Sequence, residues 1–138
     1  MGARMPYLQL DTPYACSASD KRRLAKRLGD IYARQMEADI NRVTVAIRVL
    51  DEGGVWRCGE SEPRLAGLLM CDIRRGRSAE QRAELASLLL KACRDILGFR
   101  DNNLNLEFTQ HAGDEMYHPL LGGLSDDWRP GEAAPSSG

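Results

Sequence analysis

The chain has 138 residues, enough for one domain or for two small repeats sharing one core. Apolar residues make up 43% and charged residues 28%, which are globular values and exclude a disordered chain. Nineteen basic against twenty acidic residues give a net charge of -1, which argues against a nucleic-acid binder, and the longest uncharged apolar run, Leu65 to Cys71, is far too short to span a bilayer.

In chain order, Tyr7, Leu8 and Leu10 form a short strand that stops near Pro13. Ser17 or Ser19 caps a helix running to about Glu37, with Leu24, Leu28 and Ile31 spaced i, i+4, i+7 along one face. Val43, Val45, Ile47 and Val49 alternate with Thr44, Ala46 and Arg48, the pattern of a half-buried strand. Asp51-Glu52-Gly53-Gly54 marks a turn, and the stretch to Pro63 reads as loop or hairpin. Leu65 to Ile73 is a near-continuous apolar run, as in a strand covered on both faces. Ser78 caps a second helix in which Leu85, Leu88, Leu89, Ala92 and Ile96 make one stripe and Gly98 makes the stop. Leu104, Leu106 and Phe108 then alternate with Asn105 and Glu107 in a closing strand, and the stretch from Thr109 to Trp128 has no internal pattern.

These elements repeat. A shift of 61 positions carries Ser17-Ala18 onto Ser78-Ala79, Leu24-Ala25 onto Leu85-Ala86, and Val43, Val45 and Ile47 onto Leu104, Leu106 and Phe108, without a gap. Each copy reads strand, helix, strand, which is a right-handed parallel crossover. The expectation is an α+β domain over residues 1–128, with repeats at about 6–50 and 65–111, and a flexible tail over 129–138. Two β-α-β units give a four-stranded sheet with both helices on one face. The other face, apolar in Leu65 to Ile73, is expected to be buried against further copies of the chain.

Cys16, Cys58, Cys71 and Cys93 stand alone, with no C-x-x-C pair. They read as reduced thiols, two of them core fillers, and not as a zinc site, which needs closely spaced ligand pairs. No apolar leader is visible, so a cytoplasmic protein is expected.

Met5-Pro6-Tyr7-Leu8 and Asp72-Ile73-Arg74-Arg75-Gly76-Arg77-Ser78-Ala79-Glu80, set in a doubled β-α-β chain, resemble the tautomerase superfamily. Within it, the chain is most similar to the cis-3-chloroacrylic acid dehalogenase and malonate semialdehyde decarboxylase groups. The resemblance covers Pro6 to about Trp128 and implies a homotrimer without cofactor, with an amino-terminal proline at the bottom of a pocket. Freed of preceding residues, Pro6 is a secondary amine. Apolar surroundings and nearby guanidinium groups disfavour its charged form, which makes it a base near neutrality. Arg74 and Arg77 flank Gly76 at the start of the second helix, and their planar forks suit the carboxylate of a small oxo-acid. The shift of 61 places Gly67 opposite Pro6, so one site per chain is expected.

Other positions depart from the dehalogenase pattern. Tyr32 stands where that group has a histidine, Glu107 where it has a tyrosine, and His118 where it has the water-activating glutamate. Asn41, with Asp39 close by, stands where the decarboxylase has its aspartate. Tyr32, Glu107 and His118 are therefore candidates for shaping the substrate or handling a proton. His111, Glu115 and His118 have near-helical spacing, but Gly113 interrupts them and no fourth ligand is evident, so no metal site is assigned. The chemistry requires that residues ahead of Pro6 be absent, and the expected start is Met5, followed by removal of that methionine. With Pro6 acylated, the alternative is a non-catalytic oligomeric module that binds a carboxylate or a protein. The expected ligand is a small carboxylate, with no nucleic acid and no membrane.

Overall fold

Ser17 and Ser78 open the two helices identically. Each has extended backbone, and each hydroxyl accepts from the amide three residues on, Asp20 N at 3.0 Å and Gln81 N at 3.1 Å. The computed structural model describes residues 6–51, 53–100 and 103–115. In it β1 (Tyr7–Thr12), α1 (Ala18–Gln35) and β2 (Thr44–Val49) form the first unit, with a 3-10 turn at Ile40–Arg42 before β2. A two-stranded hairpin, β3 (Trp56–Arg57) with β4 (Arg64–Leu65), links it to β5 (Gly67–Arg74), α2 (Ala79–Leu97) and β6 (Leu104–His111), followed by a 3-10 turn at Gly113–Glu115. The shift of 61 carries Ala18 onto Ala79 and Gln35 onto Ile96, within one residue of the bounds of α2.

The sheet order is β2-β1-β5-β6. β1 runs parallel to β2, β5 parallel to β6, and β1 antiparallel to β5, so the two units meet about a local two-fold between the central strands. Leu8 and Leu10 of β1 and Leu69, Cys71 and Ile73 of β5 face the helices and are fully buried. Leu24, Leu28 and Tyr32 of α1 and Leu85, Leu89, Ala92 and Cys93 of α2 meet them, forming one core on one side of the sheet. No helix of the described residues is long and apolar enough to cross a membrane.

Three details differ from the sequence reading. Leu88 is 38% exposed and lies outside the α2 stripe, because Ala92 and Cys93 turn the buried face away from it. Leu65 belongs to the hairpin, where it pairs with Trp56, and the central strand begins at Gly67. Thr109 to His111 continue β6, held by the full ladder from Gly67↔Leu104 to Arg74↔His111.

The open face of the sheet is more polar than the run Leu65 to Ile73 implies. Only alternate residues of a strand reach one face, so β5 contributes Leu68, Met70 and Asp72 there while its neighbours add polar groups. Tyr7 donates to Gln9, Gln9 to Asp11, and Arg48 grips Asp11 through two nitrogens at 2.6 and 3.1 Å.

Cys71 and Cys93 are the core fillers; Cys16 is half-buried and Cys58 exposed, all four as free thiols. Burial pushes both core thiols up to about 12, so on the order of one molecule in 10⁴ carries either thiolate at pH 8. A chromogenic disulfide reagent at pH 8 is expected to titrate Cys58 first, and Cys71 and Cys93 only after denaturant is added. Titration of all four thiols at one rate in the native protein contradicts this burial. The sign of the linkage follows: above pH ~9 the unfolded chain loses these protons before the folded one, and stability falls.

Candidate active site

The antiparallel pairing of the central strands brings the start of β1 beside the end of β5. Tyr7 pairs with Asp72, so Pro6, one residue earlier, lies alongside the stretch that leads into Arg74. The ring of Pro6 is fully buried, and its carbonyl accepts from Thr44 N at 3.2 Å, which ties the start of β2 to the same end. Arg74 closes β5 and is 6% exposed. After it the chain turns through Gly76, whose φ of +119° is strained for any residue with a Cβ. The turn delivers Arg77 to the end of α1, where its Nη2 donates to the Met36 carbonyl at 2.6 Å.

Arg82, in the first turn of α2, holds that loop from behind. Its Nη1 donates to the Arg77 carbonyl at 2.6 Å and to Gln110 Oε1 at 3.4 Å. Arg42, immediately before β2, is 9% exposed, as is Arg82. Among the described residues the buried charged side chains are thus Arg42, Arg74 and Arg82, all cations and all at the Pro6 end. Three buried guanidinium groups give this end of the sheet a concentration of positive charge. The N-terminus of α2 adds the positive end of a helix dipole.

Among the described residues, the opposite end of the sheet has no buried charged side chain. A cavity of about 380 Å³ there is lined by Pro13, Tyr14, Val49, Leu50 and Asp51. The shift of 61 makes Pro13 the counterpart of Arg74 and Cys16 the counterpart of Arg77, so the first unit has no arginine loop. Gly67, the counterpart of Pro6, lies under Phe99, and a Cβ there would stand 2.6 Å from the ring. Tyr14 stacks edge-on against Phe99 with 5.6 Å between centroids. Aromatic packing thus occupies the space directly beside Gly67.

No family model matches the sequence, and no curated protein does. Solved structures do match. A protein described as inactivated by 2-oxo-3-pentynoate superposes with a TM-score of 0.72 at 23% identity, over 86% of this chain and 94% of its own. A member of the cis-3-chloroacrylic acid dehalogenase family gives 0.75 at 20%, over 86% and 82%. A fused 4-OT solved as a symmetric trimer gives 0.75 at 22%, over 86% and 94%. The chain has the tautomerase fold.

Within the tautomerase fold, the sequence-derived candidates distribute as follows. Pro6, Arg74 and Arg77 share one end of the sheet. Tyr32 is at that end too but is a core residue, 1% exposed, one turn below Met36. Glu107 is exposed on the open face opposite Met70, four residues back along β6 from His111, about 13 Å at the usual strand rise. His118 lies outside the described residues. Asn41 and Asp39 serve the turn before β2, where Asp39 accepts from Asn41 N at 2.9 Å.

The sequence reading missed Arg42 and Arg82. Arg82 left a signal, since it occupies the inward stripe of α2 with Leu85 and Leu89, where a charge has to have a reason. Arg42 left none.

Proposed function

We propose that this chain is a cofactor-independent tautomerase-like enzyme acting on small 2-oxo or unsaturated carboxylic acids. Keto-enol tautomerisation is the main reaction, and hydration or dehalogenation are possible extensions of the same chemistry. The observation that carries this reading is the burial of Pro6 at the same strand ends as Arg74 and the Arg77 loop. With the preceding residues removed, the Pro6 nitrogen is a secondary amine facing a cationic end, which favours its neutral, basic form. Arg74 and Arg77 hold the substrate carboxylate, and the same positive field stabilises the enolate oxygen as charge develops on it. The Tyr32 carbonyl accepts from Met36 N at 2.9 Å, and the Met36 carbonyl in turn accepts from Arg77. The active assembly in this reading is a homotrimer, as in the fused 4-OT, with the open sheet faces turned toward one another.

The test compares the chain beginning at Pro6 with one retaining residues 1–5. Enol-to-keto conversion of an arylpyruvate, followed by absorbance, is expected only from the first. An acetylenic 2-oxo acid such as 2-oxo-3-pentynoate should add one adduct to Pro6, read by peptide mass. Equal behaviour of the two chains sinks amine catalysis. Pyruvate binding without turnover in the shortened chain marks a carboxylate-binding module instead.

A further inference from the structure

At the Pro6 end the open face of the sheet carries a second set of proton-bearing groups that the proposed reaction has not used. Asp72, directly across the ladder from Tyr7, takes the Thr109 hydroxyl and the His111 ring on the same oxygen, Oδ1. His111 Nε2 is 2.5 Å from that oxygen, and its other nitrogen, Nδ1, is 3.9 Å from Glu115 Oε2. Glu115 is itself fixed, because its Oε1 accepts from Ala112 N at 2.9 Å. His111 also pairs with Arg74 across β5 and β6, so both side chains leave the same face of the sheet. The ring is 37% exposed, within reach of a ligand.

We propose that His111, oriented by Asp72, is the acid that completes the oxo-acid site by giving its Nδ1 proton to the substrate carbonyl oxygen. One ring nitrogen is held by Asp72, while the other, 3.9 Å from Glu115 Oε2, is beyond hydrogen-bond distance of that carboxylate; a histidine oriented through one nitrogen is aimed for proton transfer through the other. The charged groups facing it are Asp72 and Arg74 from β5 and Glu115 from the turn after β6. Tyr7 of β1 stands behind Asp72, and the Arg75 amide donates to the His111 carbonyl at 2.7 Å.

The proton balance closes within the site. Pro6 nitrogen takes a proton from C3 of the 2-oxo acid, and the C–H pair becomes the C2=C3 bond. The carbonyl π pair moves onto the C2 oxygen, which takes the proton from His111 Nδ1. The enol leaves with Pro6 protonated and His111 neutral, and water resets both. The inference rests on the oxo-acid reading above, since it needs a carbonyl presented beside Arg74.

Two measurements test it on the chain beginning at Pro6. His111→Asn should lower kcat about 10²-fold with KM changed less than about threefold, and should abolish the basic limb of the kcat/KM profile. Asp72→Asn should lower kcat in the same direction with KM little changed, because the ring loses the carboxylate that orients it. A basic limb that persists unchanged in His111→Asn overturns the proposal and leaves the cluster as a staple between β5 and β6. The second measurement needs neither a variant nor turnover. Nitrogen NMR of the wild-type chain with added pyruvate should shift His111 Nδ1 more than Nε2. An unmoved His111 at saturating pyruvate overturns the proposal even if turnover is observed, and absent turnover with a moved Nδ1 faults the amine chemistry and supports His111.

Discussion

Arg74→Ala is expected to lower kcat/KM for a small 2-oxo acid about 10²–10³-fold, the range for truncating a buried charged hydrogen-bonding partner of a ligand. Arg74 is 6% exposed at the end of β5, so water would screen little of its attraction for a carboxylate held there. Arg74→Lys keeps the charge but replaces a planar fork with a point charge, and an intermediate loss is expected. Arg77→Ala should cost activity and stability together, because its guanidinium also closes the end of α1 through the Met36 carbonyl. Losing that charge-assisted bond is worth about 1.5–3 kcal/mol. Steady-state kinetics on the chain beginning at Pro6, with thermal melts alongside, separate the two cases. Wild-type constants in Arg74→Ala would remove the carboxylate anchor from the account.

Gly67→Ala is expected to destabilise by about 1–3 kcal/mol, although it adds one methyl group at the start of a strand. The new Cβ would meet Phe99 Cε1 at 2.6 Å, Phe99 Cζ at 2.8 Å and Leu104 Cδ1 at 3.1 Å. Phe99 is 5% exposed and braced by Tyr14, so its ring has little room to withdraw. Phe99→Leu, which trims the far edge of the ring, leaves a void as a single change, but it should relieve part of the clash when combined with Gly67→Ala. The double variant is therefore expected to be more stable than the sum of the singles by about 0.5 kcal/mol or more. Strict additivity in denaturant melts would mean that the ring is not what excludes a side chain at Gly67. Catalysis should be unaffected except through the folded fraction, since this packing is at the far end of the sheet from Pro6.

The architecture was legible because it is written twice. Ser17 and Ser78, the leucines four residues apart, and the alternating closing strands each appear in both copies, and local rules place them to within a residue or two. The open face was harder to read. An uninterrupted apolar run conceals which residues alternate outward, and the polarity of that face comes from Gln9, Asp11 and Arg48 on other strands. The site was legible where it is local, in the loop from Arg74 to Arg77. It was not legible where it is assembled at a distance. Asp72 and His111 are joined only because parallel strands align them, and Arg82 meets Gln110 because α2 packs on β6. The spacing of His111 with Glu115 assigned no site and gave no hint that Asp72, on the neighbouring strand, meets the same ring.

The division of labour between the halves has its own consequence. Pro6 belongs to the first unit and Arg74, Arg77 and His111 to the second, and they meet only because β1 and β5 run side by side in opposite directions. Neither half alone owns a complete set of reactive groups. On the proposed function, two fragments severed in the hairpin between Trp56 and Leu65 are each expected to be inert, with the join between their central strands re-forming before any chemistry returns. Recovery of activity on mixing them would then report directly on that single strand-to-strand seam.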